Sequence, residues 1–143
     1  MTQQSYHERL QLFIDNMPMG CSLRNRDFEI LDCNQPVLNM FGVKNKKEYI
    51  ARWRDLVPEH QPSGALSSEM MKGHIDTALK TGHTRFEWLL QKLDGTMFPA
   101  ETTIICVKWQ DKESLLVFVQ DLSERKRSKT TNHLVYIDYK VDF

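Results

Sequence analysis

The spacing of apolar residues changes along the chain from helical to strand-like, which predicts a mixed α+β fold. In residues 7–17 the apolar side chains recur every three or four positions, and this pattern predicts an amphipathic helix that Pro18 ends. The apolar face of that helix comprises Leu10, Phe13, Ile14 and Met17. Residues 19–24 and 28–33 alternate with a period of two on either side of a polar turn, so we expect a β-hairpin.

The middle of the chain returns to helical spacing. Asn34 is expected to cap a short helix that ends at Gly42, and residues 44–52 predict a second short helix with a charged face. Residues 53–64 contain two prolines and a glycine, and they predict a loop. A longer helix is predicted over residues 67–80, with a buried stripe formed by Met70, Met71, His74, Ile75, Ala78 and Leu79.

Three more strands are predicted in the last part of the core, at residues 85–92, 98–109 and 114–120. Asp94 and Gly95 form a strong hairpin signal between the first two, and a turn is expected at residues 111–113. The last strand is almost continuously apolar, so both of its faces are expected to be covered. The internal helices would cover one face and the N-terminal helix the other.

Three sequence motifs in this order resemble those of the PAS domain with its C-terminal PAC portion. Residues 32–35, followed by Phe41-Gly42, are similar to the strand-to-helix pattern of that family. Residues 85–88, followed by the stretch DGTMFPAE at 94–101, are similar to its hairpin. Residues 121–126, DLSERK, are similar to its closing motif. The resemblance implies a PAS fold, in which helices pack on one face of a five-stranded antiparallel sheet and an amphipathic helix precedes the sheet.

The resemblance also implies domain boundaries and a function. Residues 7–127 would form one PAS/PAC sensory domain, and residues 128–143 a strand-like tail that the family pattern does not explain. Members of the family sense small molecules, light or redox state, or serve as dimerisation modules. We therefore expect a homodimeric, non-catalytic sensory module of a bacterial signalling protein, relaying its signal to a histidine kinase or diguanylate cyclase type of output domain absent from this chain. The alternative is a ligand-free dimerisation or interaction module.

Composition and charge narrow the classes of partner. Nineteen basic and nineteen acidic residues give a formal net charge of zero, which argues against non-specific nucleic-acid binding. No apolar run approaches the roughly 20 residues that a membrane-spanning helix needs, and the N-terminus lacks a signal-peptide pattern. The three cysteines are odd in number and far apart, as in reduced cytoplasmic proteins. These features predict a cytoplasmic location.

Candidate ligand-binding residues come from the apolar stripes that would meet between helices and sheet: Met40, Phe41, Met71, His74, Ile75 and Trp88. A small organic ligand of unknown identity and a pocket filled by side chains both stay open at this point. The cofactor is unknown, because the sequence contains neither the oxygen-sensing haem motif nor the reactive-cysteine motif of flavin photoreceptors. A histidine such as His74 could in principle ligate haem iron. No catalytic residue and no metal site is predicted.

The resemblance assigns a role in signal transfer to the end of the core. The aspartate of the closing motif, Asp121, would act with Ser123 and with Arg125 as its partner. A carboxylate and a hydroxyl at a strand-to-helix junction can cap the outgoing helix, and an Asp–Arg bond can fix its direction. Capping alone explains these residue types equally well, so relay and cap are two open interpretations.

Overall fold

The predicted α+β architecture, a five-stranded antiparallel sheet with helices, is confirmed. A computed structural model describes residues 3–124 of the chain, so Arg125 and the predicted tail at 128–143 lie outside the described residues. The helices are α1 Gln3–Asp15, α2 Gln35–Phe41, α3 Lys46–Arg52 and α4 Ser67–Thr81, and the strands are β1 Gly20–Arg24, β2 Ile30–Cys33, β3 His83–Gln91, β4 Met97–Trp109 and β5 Lys112–Asp121. The strands form one antiparallel sheet in the order β2-β1-β5-β4-β3.

One face of the sheet, termed the inner face, packs against α2, α3 and α4. Alternation along β4 and β5 places small and branched side chains on this face. Ala100, Ile104 and Leu115 are each 0% exposed there. The helices contribute Val37, Leu38, Phe41, Tyr49 and Ala78 to the same core. This burial supplies most of the apolar surface that folding removes from water.

Strand β1 presents its small and polar residues, not its apolar ones, to the inner face. An added Cβ at Gly20 would lie 2.9 Å from the Cβ of Val37, so only glycine permits this approach between β1 and α2. Ser22 and Arg24, two and four residues further, are also buried. The alternating apolar residues Cys21 and Leu23 line the opposite, outer face. A period of two defines the two faces of a strand but not which one is inward.

Several boundaries differ from the sequence prediction: α1 ends at Asp15, and β5 begins at Lys112, inside the predicted turn. Two further differences have a clear cause. Strand β2 begins at Ile30 and not at residue 28, because Phe28 adopts a left-handed backbone conformation with φ of 67°. The predicted loop after α3 begins with a short 3-10 helix, Trp53–Leu56. Its Trp53 and Leu56 side chains are buried in the core, and this tertiary burial organises a segment whose turn residues predict a loop.

Asn34 joins α1, the sheet and α2, and its predicted role as an N-cap is confirmed. Its fully buried side chain accepts hydrogen bonds from the backbone N–H groups of Val37 at 3.2 Å and Cys21 at 2.8 Å. Its amide group donates to the backbone carbonyls of Ile14 at 2.7 Å and Met19 at 3.1 Å. Asn34 thereby attaches the end of α1 to the sheet, and Asp15 at that end also accepts from the backbone N–H of Gln35 at 2.8 Å.

The outer face of the sheet is covered only in part. Leu116 and Phe118 of β5 are half-buried on this side, whereas the inner residues of the same strand are buried. An open groove of about 430 Å³, termed the outer groove, lies between α1 and this face and is lined by Gln11, Ile14, Cys21, Leu23, Leu31, Asp32, Cys33, Val107, Lys108, Trp109 and Leu116. The expected cover by the N-terminal helix is therefore incomplete.

Candidate functional site

An internal cavity lies between the inner face and the helices. Its volume is about 30 Å³, which is space for one or two water molecules. The lining side chains are mostly aromatic and aliphatic: Arg24, Phe28, Phe41, Tyr49, Trp53, Leu56, Val57, Met71, Phe86, Trp88, Leu90, Thr102, Ile104, Val117 and Val119. The side chains therefore fill nearly all of the space in which a ligand would bind.

Arg24 is the charged member of this wall. It is 5% exposed, and its Nε donates to Ser22 Oγ at 3.0 Å. Its Nη1 donates to the carbonyl oxygen of Phe28 at 3.1 Å, and its Nη2 donates to the hydroxyl oxygen of Tyr49 at 3.0 Å. Burial lowers the pKa of Arg24, yet a guanidinium titrates so far above neutrality that it stays charged. The cavity wall thus contains a positive charge.

Aromatic rings surround this guanidinium group. Its central carbon lies 4.2 Å from the ring centroid of Phe28 and 4.6 Å from that of Trp53, within the range of cation–π attraction. The two rings meet edge to face at 5.6 Å. The left-handed conformation of Phe28 is unusual for a bulky residue, and it brings both the ring and the carbonyl oxygen onto Arg24.

Three of the six predicted pocket residues line the cavity: Phe41, Met71 and Trp88. Met40, His74 and Ile75 pack around the core without reaching the cavity wall. The indole Nε1 of Trp88 donates to Thr102 Oγ1 at 2.9 Å, which orients two lining residues on adjacent strands.

His74 lies behind the cavity wall. Its ring stacks on Phe86 with a centroid separation of 3.6 Å and an interplanar angle of 4°, and its Nδ1 lies 3.5 Å from Thr84 Oγ1. Burial lowers the pKa of His74 from its ordinary value of 6.5. Phe86 stacks on this imidazole and itself lines the cavity, so His74 is not placed to ligate an iron inside a cavity of about 30 Å³.

The described cysteines and acidic residues show no metal centre. Residues 3–124 contain no group of three His, Cys, Asp or Glu side chains that could hold a metal ion. Burial raises the pKa of the Cys21 and Cys33 thiols to about 11, so both are protonated at neutral pH.

The predicted exit residues lie at the end of β5. Asp121 Oδ1 accepts hydrogen bonds from the backbone N–H of Ser123 at 2.8 Å and from its Oγ at 2.6 Å. Between them, Leu122 is 2% exposed, and its N–H donates to the carbonyl oxygen of Pro99 at 2.9 Å. The structure thus brings Asp121 and Ser123 together, whereas Arg125 lies outside the described residues.

The sequence analysis did not single out Arg24, Tyr49 and Trp53, which form the polar corner of the cavity. A signal for Arg24 was present, because Gly20 and Ser22 share its face of β1. Two small residues on one face of a strand are typical of close packing against a helix. That pattern would have placed Arg24 on the inner face.

Gln61, in the loop before α4, holds strand β3 at the edge of the site. Its side-chain Oε1 accepts from the backbone N–H of Leu89 at 2.7 Å, and its Nε2 donates to the Leu89 carbonyl oxygen at 3.0 Å. The Nε2 atom also donates to Ser67 Oγ at 2.9 Å. One buried amide therefore positions β3 relative to the start of α4.

Comparison with known proteins agrees with this architecture. Among solved structures, a PAS domain from a two-component sensor histidine kinase is similar with a TM-score of 0.67 at 12% identity, over 84% of this chain and 99% of that one. The PAS domain of nitrogen regulation protein NR(II) from Vibrio parahaemolyticus gives 0.63 at 18% identity, over 78% and 96%. A LOV protein from Rhodobacter sphaeroides gives 0.63 at 15% identity, over 89% and 72%.

Comparisons of the amino-acid sequence give fewer matches than comparisons of the structure. Comparison with curated protein sequences gives no match. None of the described helices is long and apolar enough to cross a bilayer. The family described as "PAS domain" matches residues 18–124, from the end of α1 to the exit. The chain therefore belongs to the PAS domain family.

Proposed function

We propose that the chain is a sensory and regulatory module of a bacterial signal-transduction protein that detects a small molecule in the internal cavity. The signal would leave through Asp121, Ser123 and Arg125 toward a covalently linked output domain of the histidine kinase or diguanylate cyclase type. Any catalysis would belong to that output domain, and the module would act in the cytoplasm. The observation that carries this proposal is that one strand, β5, contributes both Val117 and Val119 to the cavity wall and Asp121 to the exit.

A mechanical route follows from the hydrogen bonds at the exit. A ligand that moved Val119 would move Asp121, two residues further along the same strand. Asp121 holds Ser123 through two hydrogen bonds, so the direction of the outgoing chain follows the position of the carboxylate. We propose that Arg125 pairs with this carboxylate when the signal is transmitted.

The similar solved structures support a role in signalling. Two of them are PAS domains of a two-component sensor histidine kinase and of a nitrogen regulation protein. Both are under 25% identical to this chain. Their roles in signalling therefore support the proposed class of output domain and carry no further argument.

Replacement of Asp121 tests the relay. In a protein that joins this chain to its output domain, Asp121→Ala is expected to abolish signal-dependent output, because Ser123 loses both bonds to the carboxylate. Hydrogen exchange at the Ser123 amide should become faster, while that of Val117 stays protected. The control is Asp111→Ala, in the exposed turn between β4 and β5. Unchanged signal-dependent output in Asp121→Ala would contradict the relay.

A second candidate function is a ligand-free homodimerisation module. It is favoured by the small volume of the cavity and by Leu12 and Phe13 of α1, which are 67% and 72% exposed beside the outer groove. A second copy of the chain could bury these side chains. Sedimentation velocity is expected to show a dimer that Phe13→Glu dissociates and that Met97→Glu, an exposed control on β4, leaves intact. A monomeric wild-type chain would exclude this function.

A further inference from the structure

The polar corner of the cavity indicates the chemical class of the ligand. We propose that the cavity takes a small monocarboxylate with an apolar body, whose carboxylate binds Arg24 and whose body packs against the aromatic wall. This inference rests on the proposed sensory function, since it names the ligand class of the same site.

The first argument is the uncompensated charge. No carboxylate of residues 3–124 forms an ion pair with Arg24, although five other ion pairs are present in that part of the chain. Burial disfavours the charged form of Arg24, and the nearby guanidinium of Arg54 repels it. A buried cation without an anionic partner is costly, and ring faces and neutral oxygens compensate it only in part. An anion in the cavity would complete the compensation.

The second argument is an excess of hydrogen-bond donors. The guanidinium has five N–H groups, and three bonds from it are present. The Tyr49 hydroxyl accepts from Arg24, and the Thr102 hydroxyl accepts from Trp88. Neither hydroxyl donates its own hydrogen to an acceptor among the described residues. All three side chains line the cavity, and the adjacent Arg24 and Tyr49 present their remaining hydrogens side by side, which matches a ligand that supplies acceptors, such as a carboxylate.

The third argument is the apolar remainder of the wall and its access route. Trp53, Val57 and Met71 line both the cavity and an open cleft of about 350 Å³ between the 3-10 helix and α4. The guanidinium carbon of Arg54, in this cleft, lies 4.6 Å from the centroid of the Trp53 ring, so Trp53 contacts the guanidinium groups of both Arg24 and Arg54. The cleft also contains the acidic residue Glu59. Methionine is flexible, and its movement would admit the apolar body. The cavity as it stands has space for only one or two water molecules, so the body enters only when such a side chain moves, and small bodies are favoured.

Carboxylates and their amides, compared in pairs, test this inference on the unmodified chain. Acetate, propionate, butyrate and benzoate are titrated by calorimetry against the corresponding amides, which have nearly the same shape and no charge. At least one carboxylate is expected to bind about tenfold or more tightly than its amide, because charge-assisted hydrogen bonds are the stronger ones. The indole resonance of Trp88 should shift in the same titration, since Trp88 lines the cavity.

Variants locate the site. Arg24→Met is expected to weaken the carboxylate at least about tenfold, and Tyr49→Phe and Thr102→Val, which remove one hydroxyl each, several-fold. The matched control is Arg26→Met, an exposed arginine two residues away that pairs with Glu113. If Arg24→Met does not fold, the hydroxyl variants and the amide comparison decide the question.

Three outcomes would overturn the inference. They are an absence of binding by every carboxylate up to about 10 mM, equal affinity for carboxylates and amides, or unchanged affinity in all three cavity variants. None of these three outcomes affects the relay test, which measures the signal-dependent output of Asp121→Ala. Failure of the ligand class and failure of the sensory function are therefore distinguishable.

Discussion

The two faces of the sheet are built from the same strands, yet they are covered very differently. On the inner face, the β5 residues Leu115 and Val117 are 0% and 3% exposed, and the helices leave a cavity of about 30 Å³. On the outer face, Leu31 is 48% exposed and Trp109 is 44% exposed beside a groove of about 430 Å³. The inner face is a nearly filled core, and the outer face is a half-covered apolar surface.

The difference in exposure between the two faces indicates which face contributes stability and which has surface free for binding. A filled face contributes stability, because each removed methylene leaves a void that its neighbours fill only in part. A half-covered face contributes less stability, but it has apolar surface free for a further contact. The inner face nevertheless contains one feature that packing does not explain, the buried charge of Arg24. The proposed ligand recognition would therefore lie on the inner face, and the proposed homodimer contact on the outer face.

A pair of leucine truncations, one on each face, tests the difference in packing between the two faces. Leu115→Ala is expected to lower the free energy of unfolding by about 3 kcal/mol, since it opens a void in the filled core. Leu31→Ala, the matched change on the outer face, is expected to cost less than about 1 kcal/mol. Urea unfolding of both variants measures the difference. Equal losses would mean that the outer face is as tightly packed as the inner one.

Substitution of two N-cap asparagines tests whether Asn34 attaches α1 to the sheet. Asn34→Ala removes four hydrogen bonds from a fully buried side chain, and we expect a loss of about 3 kcal/mol. Asn45→Ala removes the exposed N-cap of α3, and it is expected to cost about 1 kcal/mol. Hydrogen exchange should also show α1 losing protection only in Asn34→Ala. If α1 stays protected in that variant, Asn34 is a simple helix cap and not the attachment of α1.

The smallest expected effect is a pH dependence at the edge of the inner face. The pKa of His74 is lowered in the folded chain from 6.5 by burial, so the unfolded chain binds more protons as the pH falls through that value. Stability contributed by the neutral ring is therefore present above pH 6.5 and is lost below it.

Two histidine variants isolate this contribution. Wild type should lose more stability than His74→Gln when unfolding is measured at about pH 7.5 and about pH 5.5. His83→Gln, an exposed control at the start of β3, should behave as wild type. Identical pH dependence in wild type and His74→Gln would show that burial of the ring does not act on its protonation.

Much of the fold could be predicted from local pattern. The strand alternation, the Asp94-Gly95 turn and the Asn34 cap are short-range signals, because each depends on residues within a few positions of one another. The motifs at 32–35, 85–101 and 121–126 were sufficient to predict the PAS fold, which the structure confirms. The wrong start of β2 arises from Phe28, whose left-handed conformation ends a local turn and lets its carbonyl oxygen accept from Arg24, a feature that hydrophobic alternation does not encode.

The elements, their order and the family could be predicted from the amino-acid sequence, because hydrophobic period and turn chemistry act locally along the chain. Which face of β1 is inward, which side chains line the cavity and how much space they leave depend on tertiary packing. Those properties depend on residues distant in sequence: Arg24 meets Tyr49 across 25 positions, and Trp88 meets Thr102 across 14. Packing brings such residues together through the sum of many contacts, so the site followed from the fold and not from any one motif.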